Sequence, residues 1–103
     1  MGVRIDSHTK SWLLKHGAVI TISPVLLPWT FRNKQVLFDF ECEVKTPEDK
    51  ENYYEIEKDG ISIFIDKKIQ TKVRRVDLWV RGRPPFEQLD IKGLKRFSTV
   101  DQA

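Results

Sequence analysis

Residues 53–66, YYEIEKDGISIFID, decide how the rest of the chain is read. The Asp59-Gly60 pair suits the left-handed backbone that both central positions of a tight hairpin turn require, and it lies between two runs rich in aromatic and β-branched residues. The segment therefore reads as two antiparallel strands. Ahead of it, KTPEDKEN (45–52) is an acidic, turn-forming loop. Before that loop, VLFDFECEV (36–44) alternates, with Val36, Phe38, Phe40, Cys42 and Val44 on one face and Asp39, Glu41 and Glu43 on the other. AVITISPVLL (18–27) reads as another strand, in which Pro24, lacking an N–H, implies an edge position, a bulge or an early end. PWTFRNK (28–34) reads as an irregular connection.

Outward from this centre, VRI (3–5) leads to a helix start at Asp6 or Ser7, whose oxygen accepts from the first free backbone N–H groups. Trp12, Leu13 and His16 are expected to share a face, and Gly17 suits the left-handed position that ends a helix, giving a helix over about 7–16. On the far side, IDKKIQTKV (65–73) suits a short helix or helical turn and VRRVDLWVRG (73–82) a strand. RPPF (83–86) reads as a sharp break, and LDIKGLKRF (89–97) as a last strand or turn before a tail that is flexible from about 98. The expectation is an α+β fold: one small domain over 1–103, with a mostly antiparallel β-sheet of five or six strands and an N-terminal helix.

The apolar fraction of 40% and charged fraction of 32% are those of a soluble globular domain, and no apolar run approaches the length that spans a bilayer. MGVRIDSHTK lacks the basic-then-apolar layout of a secretory signal, and a lone cysteine makes no internal disulfide, so a cytoplasmic protein with no membrane partner is expected. The net charge of +3 is uneven: residues 1–44 carry +1, 45–60 carry −3 and 61–103 carry +5.

The opening I-D-x-x-x-K-x-W-L-x-K-x-G-x-V-I-T-I (5–22), the hairpin Y-x-x-x-x-x-D-G-I-x-I-F-I-D (53–66) and VRRVDLWVRGRPPFEQLDIKG (73–93) together resemble the HesB-like family. That family includes A-type iron-sulfur carriers and small relatives with a paired-cysteine motif, and the likeness covers most of the chain. It implies a HesB-like fold and, in the family, thiolates that gather an iron-sulfur cluster, soft sulfur being the ligand such clusters require. A-type carriers use one mid-domain cysteine and a closely spaced pair near the C-terminus; the paired-cysteine relatives carry theirs just after the first long strand. Here that strand is followed by LLPWTFRNKQ (26–35), with no cysteine, and GLKRFSTVDQA (93–103) has neither cysteine nor histidine. The usual cluster ligands are missing.

Cys42 would need partners to act as a ligand, and one chain offers only His8, His16 and carboxylates. Its flanking phenylalanines favour a small buried side chain, slow to react. Asp39, Glu41 and Glu43 fall side by side on a solvated strand face. His8 and His16 read as helix-start and helix-end residues. No phosphate-binding glycine loop, nucleophile elbow or Cys-His metal spacing occurs. No catalytic residue, metal ligand or cofactor is therefore expected, and the protein reads as a non-enzyme.

The basic C-terminal third places Arg75, Asp77, Trp79 and Arg81 on one side of a strand and Val76, Leu78 and Val80 on the other. An indole on the charged side is unusual. Arg75, Trp79 and Arg81 are thus the candidate binding residues, their types being those that dominate interfaces. A protein partner or homodimer ranks above nucleic acid, because the acidic residues of 48–59 offset the field. Three functions follow in order: an interaction or structural domain of HesB-like type without cluster ligands; residual iron-sulfur or metal binding through Cys42 across a homodimer; and a nucleic-acid-binding module.

Overall fold

The structure, a computed structural model, describes residues 2–69, 75–94 and 98–100. In chain order its elements are β1 (Gly2–Ile5), α1 (Ser7–Lys15), β2 (Val19–Phe31), β3 (Lys34–Glu43), a short 3-10 turn (Lys50–Asn52), β4 (Tyr53–Lys58), β5 (Ile61–Asp66), β6 (Arg75–Arg81), β7 (Gln88–Lys92) and β8 (Ser98–Val100). They form two sheets, β1-β6-β7 and β4-β5-β2-β3-β8. The α+β class stands, but the described residues hold eight strands in two sheets rather than five or six in one. Most pairings are antiparallel, while β1 with β6 and β2 with β5 are parallel. Ser98–Val100, where a flexible tail was expected to begin, pair with Gln35–Leu37 of β3 and bury Ser98 and Val100.

The helix begins and ends as its sequence dictates. Asp6 caps it by accepting the Thr9 N–H at 2.7 Å. At the other end Gly17 takes φ +115° and the Ala18 N–H reaches back to the Leu13 carbonyl at 2.8 Å, the bond that closes a Schellman motif. Leu13 and Thr9 are buried, but His16 is exposed, so the expected trio divides: Leu13 enters the core and His16 stacks on Trp12 with ring centroids 4.2 Å apart. Past the last β1 pair, Ile5 with Leu78, the Val80 N–H would lack a strand partner. Thr9 Oγ1 accepts it at 2.8 Å, so α1 continues the edge that β1 began.

Both sheets contribute to one core. Ile20, Ile22, Leu37, Ile61, Ile63 and Ile65 come from the larger sheet, Val76, Leu78 and Ile91 from the smaller, and Leu13 from the helix. Gly93 holds the small sheet tight: at φ +108°, a β-carbon there would run into the Arg75 carbonyl oxygen, so only glycine lets β7 end against β6. The expected helical turn in IDKKIQTKV is present at its start, where the Ile69 N–H returns to the Asp66 carbonyl at 3.0 Å; residues 70–73 lie outside the described residues.

The Asp59-Gly60 hairpin forms as read, with positive φ at both residues and an unbroken register from Tyr53 with Asp66 to Lys58 with Ile61. The connection at 28–34 does not. β2 runs on to Phe31 and turns back through Arg32 and Asn33, at φ +53° and +63°, a two-residue hairpin turn of the same kind. Two irregularities interrupt this second hairpin. Val25 pairs with Asp39 and Leu26 with Leu37, leaving Phe38 as an extra residue on β3. Next, Leu27, Pro28 and Trp29 together oppose Val36.

The first bulge overturns the simple alternation read for 36–44. Phe40, Cys42 and Val44 pack against the core, but across the bulge the parity flips and Leu37, fully buried, takes the inward place expected of Phe38 and Val36. Pro24 sits where its missing donor costs nothing. The Ser62 N–H donates to the Ala18 carbonyl, so alternation points the backbone groups of Ala18, Ile20, Ile22 and Pro24 toward β5, and pairing with β5 stops at Ile22.

Candidate functional site

The outer face of the small sheet follows from the burial of its inner one. Val76, Leu78 and Val80 on β6 and Ile91 on β7 are buried, so Arg75, Asp77, Trp79 and Arg81 face outward with Gln88, Asp90 and Lys92 beside them and Arg4 on β1 opposite Asp77. Trp79 is half-buried on this face. It borders a depression of about 240 Å³ shared with Arg4, Asp6 and Asp77. Asp6 is held charged there, its carboxyl lowered below the usual range chiefly by the Thr9 backbone N–H it accepts.

The three candidate residues are on one face but do not form one cluster. Arg81 is next to Trp79 along that side of the strand, while Arg75 is two positions further away, about 13 Å at the usual strand rise. Each arginine leans on an acid: Arg75 Nε is 3.3 Å from Asp77 Oδ1, and Arg81 Nε is 3.5 Å from Asp90 Oδ2. Asp77 Oδ1 is shielded from solvent and accepts no aligned hydrogen bond, so that contact is an ion pair without full hydrogen bonding. The nearest charges to the indole are therefore mixed, Asp77 and Arg81 on either side of it along the strand and Asp90 across from it. Arg4 escaped the sequence reading because it reaches this face only through the pairing of β1 with β6, strands far apart in sequence, and Asp90 because the run 89–97 was read with no partner strand.

Cys42 is half-buried rather than buried. It lines a cleft of about 520 Å³ between β3, β7 and α1, together with Trp12, Phe40, Leu89, Arg81 and the acids Asp39, Glu41, Glu87 and Asp90. The Trp12 indole N–H is shielded there with no hydrogen-bond partner. An iron-sulfur cluster needs several thiolates, and one chain brings one. Among the described residues, no three His, Cys, Asp or Glu side chains are grouped so as to hold a metal ion. The residues present do not fit a cluster within a single chain. His8 and His16 do not help: His8 is exposed on the helix, and His16 Nδ1 lies 2.7 Å from the Trp12 carbonyl.

A second surface was missed entirely. Every residue from 28 to 34 at the β2–β3 tip is exposed, with Trp29 62% and Phe31 55% accessible, and the Arg32 guanidinium lies 5.2 Å from the Phe31 ring centroid. The available signal was Asn33 in the short polar stretch 32–35 between apolar runs. Arg32 ahead of it masked the turn. No described helix is long and apolar enough to cross a membrane.

The model of a family described as CC/Se motif containing matches residues 1–94. No curated protein and no solved structure matches the chain. With Cys42 as its one cysteine, the sequence holds no cysteine pair.

Proposed function

The chain belongs to the CC/Se motif containing family, and from that premise we propose that it is a non-catalytic interaction domain of HesB-like descent, cytoplasmic, whose protein partner docks on the outer face of the β1-β6-β7 sheet. The half-buried Trp79 on the solvent side of β6 carries this reading. A sheet face that served only solvation would put polar side chains there. An indole ringed by Arg4, Arg81, Asp77 and Asp90 offers an apolar centre with a polar rim, the usual layout of a binding patch. The acids in that rim favour a protein over nucleic acid, since phosphates would meet Asp77 beside Arg75 and Asp90 beside Arg81.

Proximity labelling with the wild-type chain, followed by purification of the recovered partner, supplies the test. That partner is expected to bind Trp79→Ala with a loss of about 2 kcal/mol or more, while the variant melts as a folded protein. Arg81→Glu, at an exposed position paired with Asp90, is expected to weaken binding while the variant still melts as a folded protein. Unchanged affinity in both variants would sink the reading. Binding of single-stranded oligonucleotides that falls steeply with salt would transfer the face to nucleic acid.

The cleft around Cys42 sustains a second reading, a metal held between two copies of the chain. Anaerobic purification with iron, sulfide and zinc analysis decides it. The expected result is a colourless protein with no stoichiometric metal, and a reconstituted cluster that vanishes in Cys42→Ser would install the second reading in its place.

A further inference from the structure

We propose that the tip of the β2–β3 hairpin docks on an anionic lipid surface, a role separate from the protein-binding face on β6. Three observations converge on the tip. First, it stands clear of the core: pairing of β2 with β5 ends at Ile22, and residues 28–34 are all exposed. Second, the side chains it offers to water are the wrong ones for water. Trp29 and Phe31 are more than half accessible, and an exposed indole and phenyl ring at the end of a projecting arm gain by entering the boundary between lipid headgroups and acyl chains. Third, the tip's own residues carry charge of one sign. From Pro24 to Phe38 the sequence carries Arg32 and Lys34 and no acid, whereas the Trp79 face mixes both signs.

The bulges account for the shape. Three residues of β2 oppose one of β3 at 27–29, so Trp29 is taken out of the strict inward-outward alternation that fixes side chains elsewhere in the sheet. An exposed tip of this kind, with two aromatic rings at its end, suits insertion into a soft, deformable interface. Arg32 and Lys34 then meet anionic headgroups while the rings sit just below them. This needs no spanning segment, so it agrees with a sequence that contains none.

Vesicles of phosphatidylcholine alone and of phosphatidylcholine with phosphatidylserine are the probes, read by co-sedimentation of the full chain. Binding is expected to the phosphatidylserine vesicles and to fall with added salt. The double variant Trp29→Ala, Phe31→Ala is expected to bind at least about tenfold more weakly, and Arg32→Glu with Lys34→Glu to lose the preference for phosphatidylserine. All four side chains are exposed, so the fold is kept. Trp79→Ala is expected to bind vesicles like wild type, which separates this proposal from the protein-binding face. Absence of binding, or equal binding by the aromatic variant, overturns the proposal. So does a wild-type dimer, measured by light scattering, that becomes a monomer in the aromatic variant, because the tip's occupant is then a second copy of the chain.

Discussion

The two hairpins use the same two-residue turn and otherwise differ at every level. In β4–β5 each residue meets its partner in unbroken register, and the turn is tied to the body by Lys10 Nζ at 3.0 Å from Asp59 Oδ2. In β2–β3 the register slips twice, the turn uses Arg32 where the first uses Asp59, and the tip presents aromatic rings to solvent. A regular ladder lets alternation set which side chains enter the core, and β5 duly puts Ile61, Ile63 and Ile65 there, with Phe64 buried on its other face. A bulged ladder releases some residues from that rule. Those released residues, Trp29 above all, are the ones with no packing role to explain them.

The greatest loss of stability is expected at the first bulge. Leu37→Ala is expected to cost about 3 kcal/mol, as for a fully buried leucine, and Phe38→Ala about 1 kcal/mol, read from urea unfolding. An uninterrupted strand would reverse that order. The turns come next. Arg in the left-handed region is strained, so the double change Arg32→Asn, Asn33→Gly is expected to stabilise the protein by roughly 1 kcal/mol. No gain in urea midpoint would mean that the tip is held by something other than its turn.

The smallest effect concerns the tie to the helix. Lys10 lowers the Asp59 carboxyl through a hydrogen bond and its charge, so the contribution is complete above the ordinary carboxylate range and disappears as pH falls through the lowered value. Lys10→Met is therefore expected to melt slightly below wild type at about pH 7 and alongside it at about pH 2. A gap that persisted in acid would show that Lys10 acts through its packing.

Signals contained within a few residues were legible. Asp59-Gly60, the Asp6 cap and the Gly17 stop each act within one turn, and all three stand where the sequence put them. The outward side of β6 was legible too, because Val76, Leu78 and Val80 alternate without interruption. Long-range facts were not. Nothing within residues 2–5 says that they lie parallel to β6, so Arg4 could not be placed beside Asp77. Phe38 could not be seen as an insertion, because a bulge is a property of two strands and each strand alone looks regular. Cys42 was read on the correct face, yet the cleft that half-exposes it is made by β7 and α1.

The bond from the Val80 N–H to Thr9 Oγ1 spans 71 residues, and β1 pairs with the same strand. During synthesis this sets an order. The first strand leaves the ribosome early but has no strand to pair with until β6 has been made, whereas the two hairpins close on themselves and join through β2 and β5 as soon as residue 66 is out. Four strands of the larger sheet, β4, β5, β2 and β3, are thus free to assemble before the smaller sheet, while β8, their last neighbour, is made only after it. A nascent chain stalled before β6 leaves β1 unpaired and Thr9 without Val80, an open edge of the kind that chaperones bind and proteases trim.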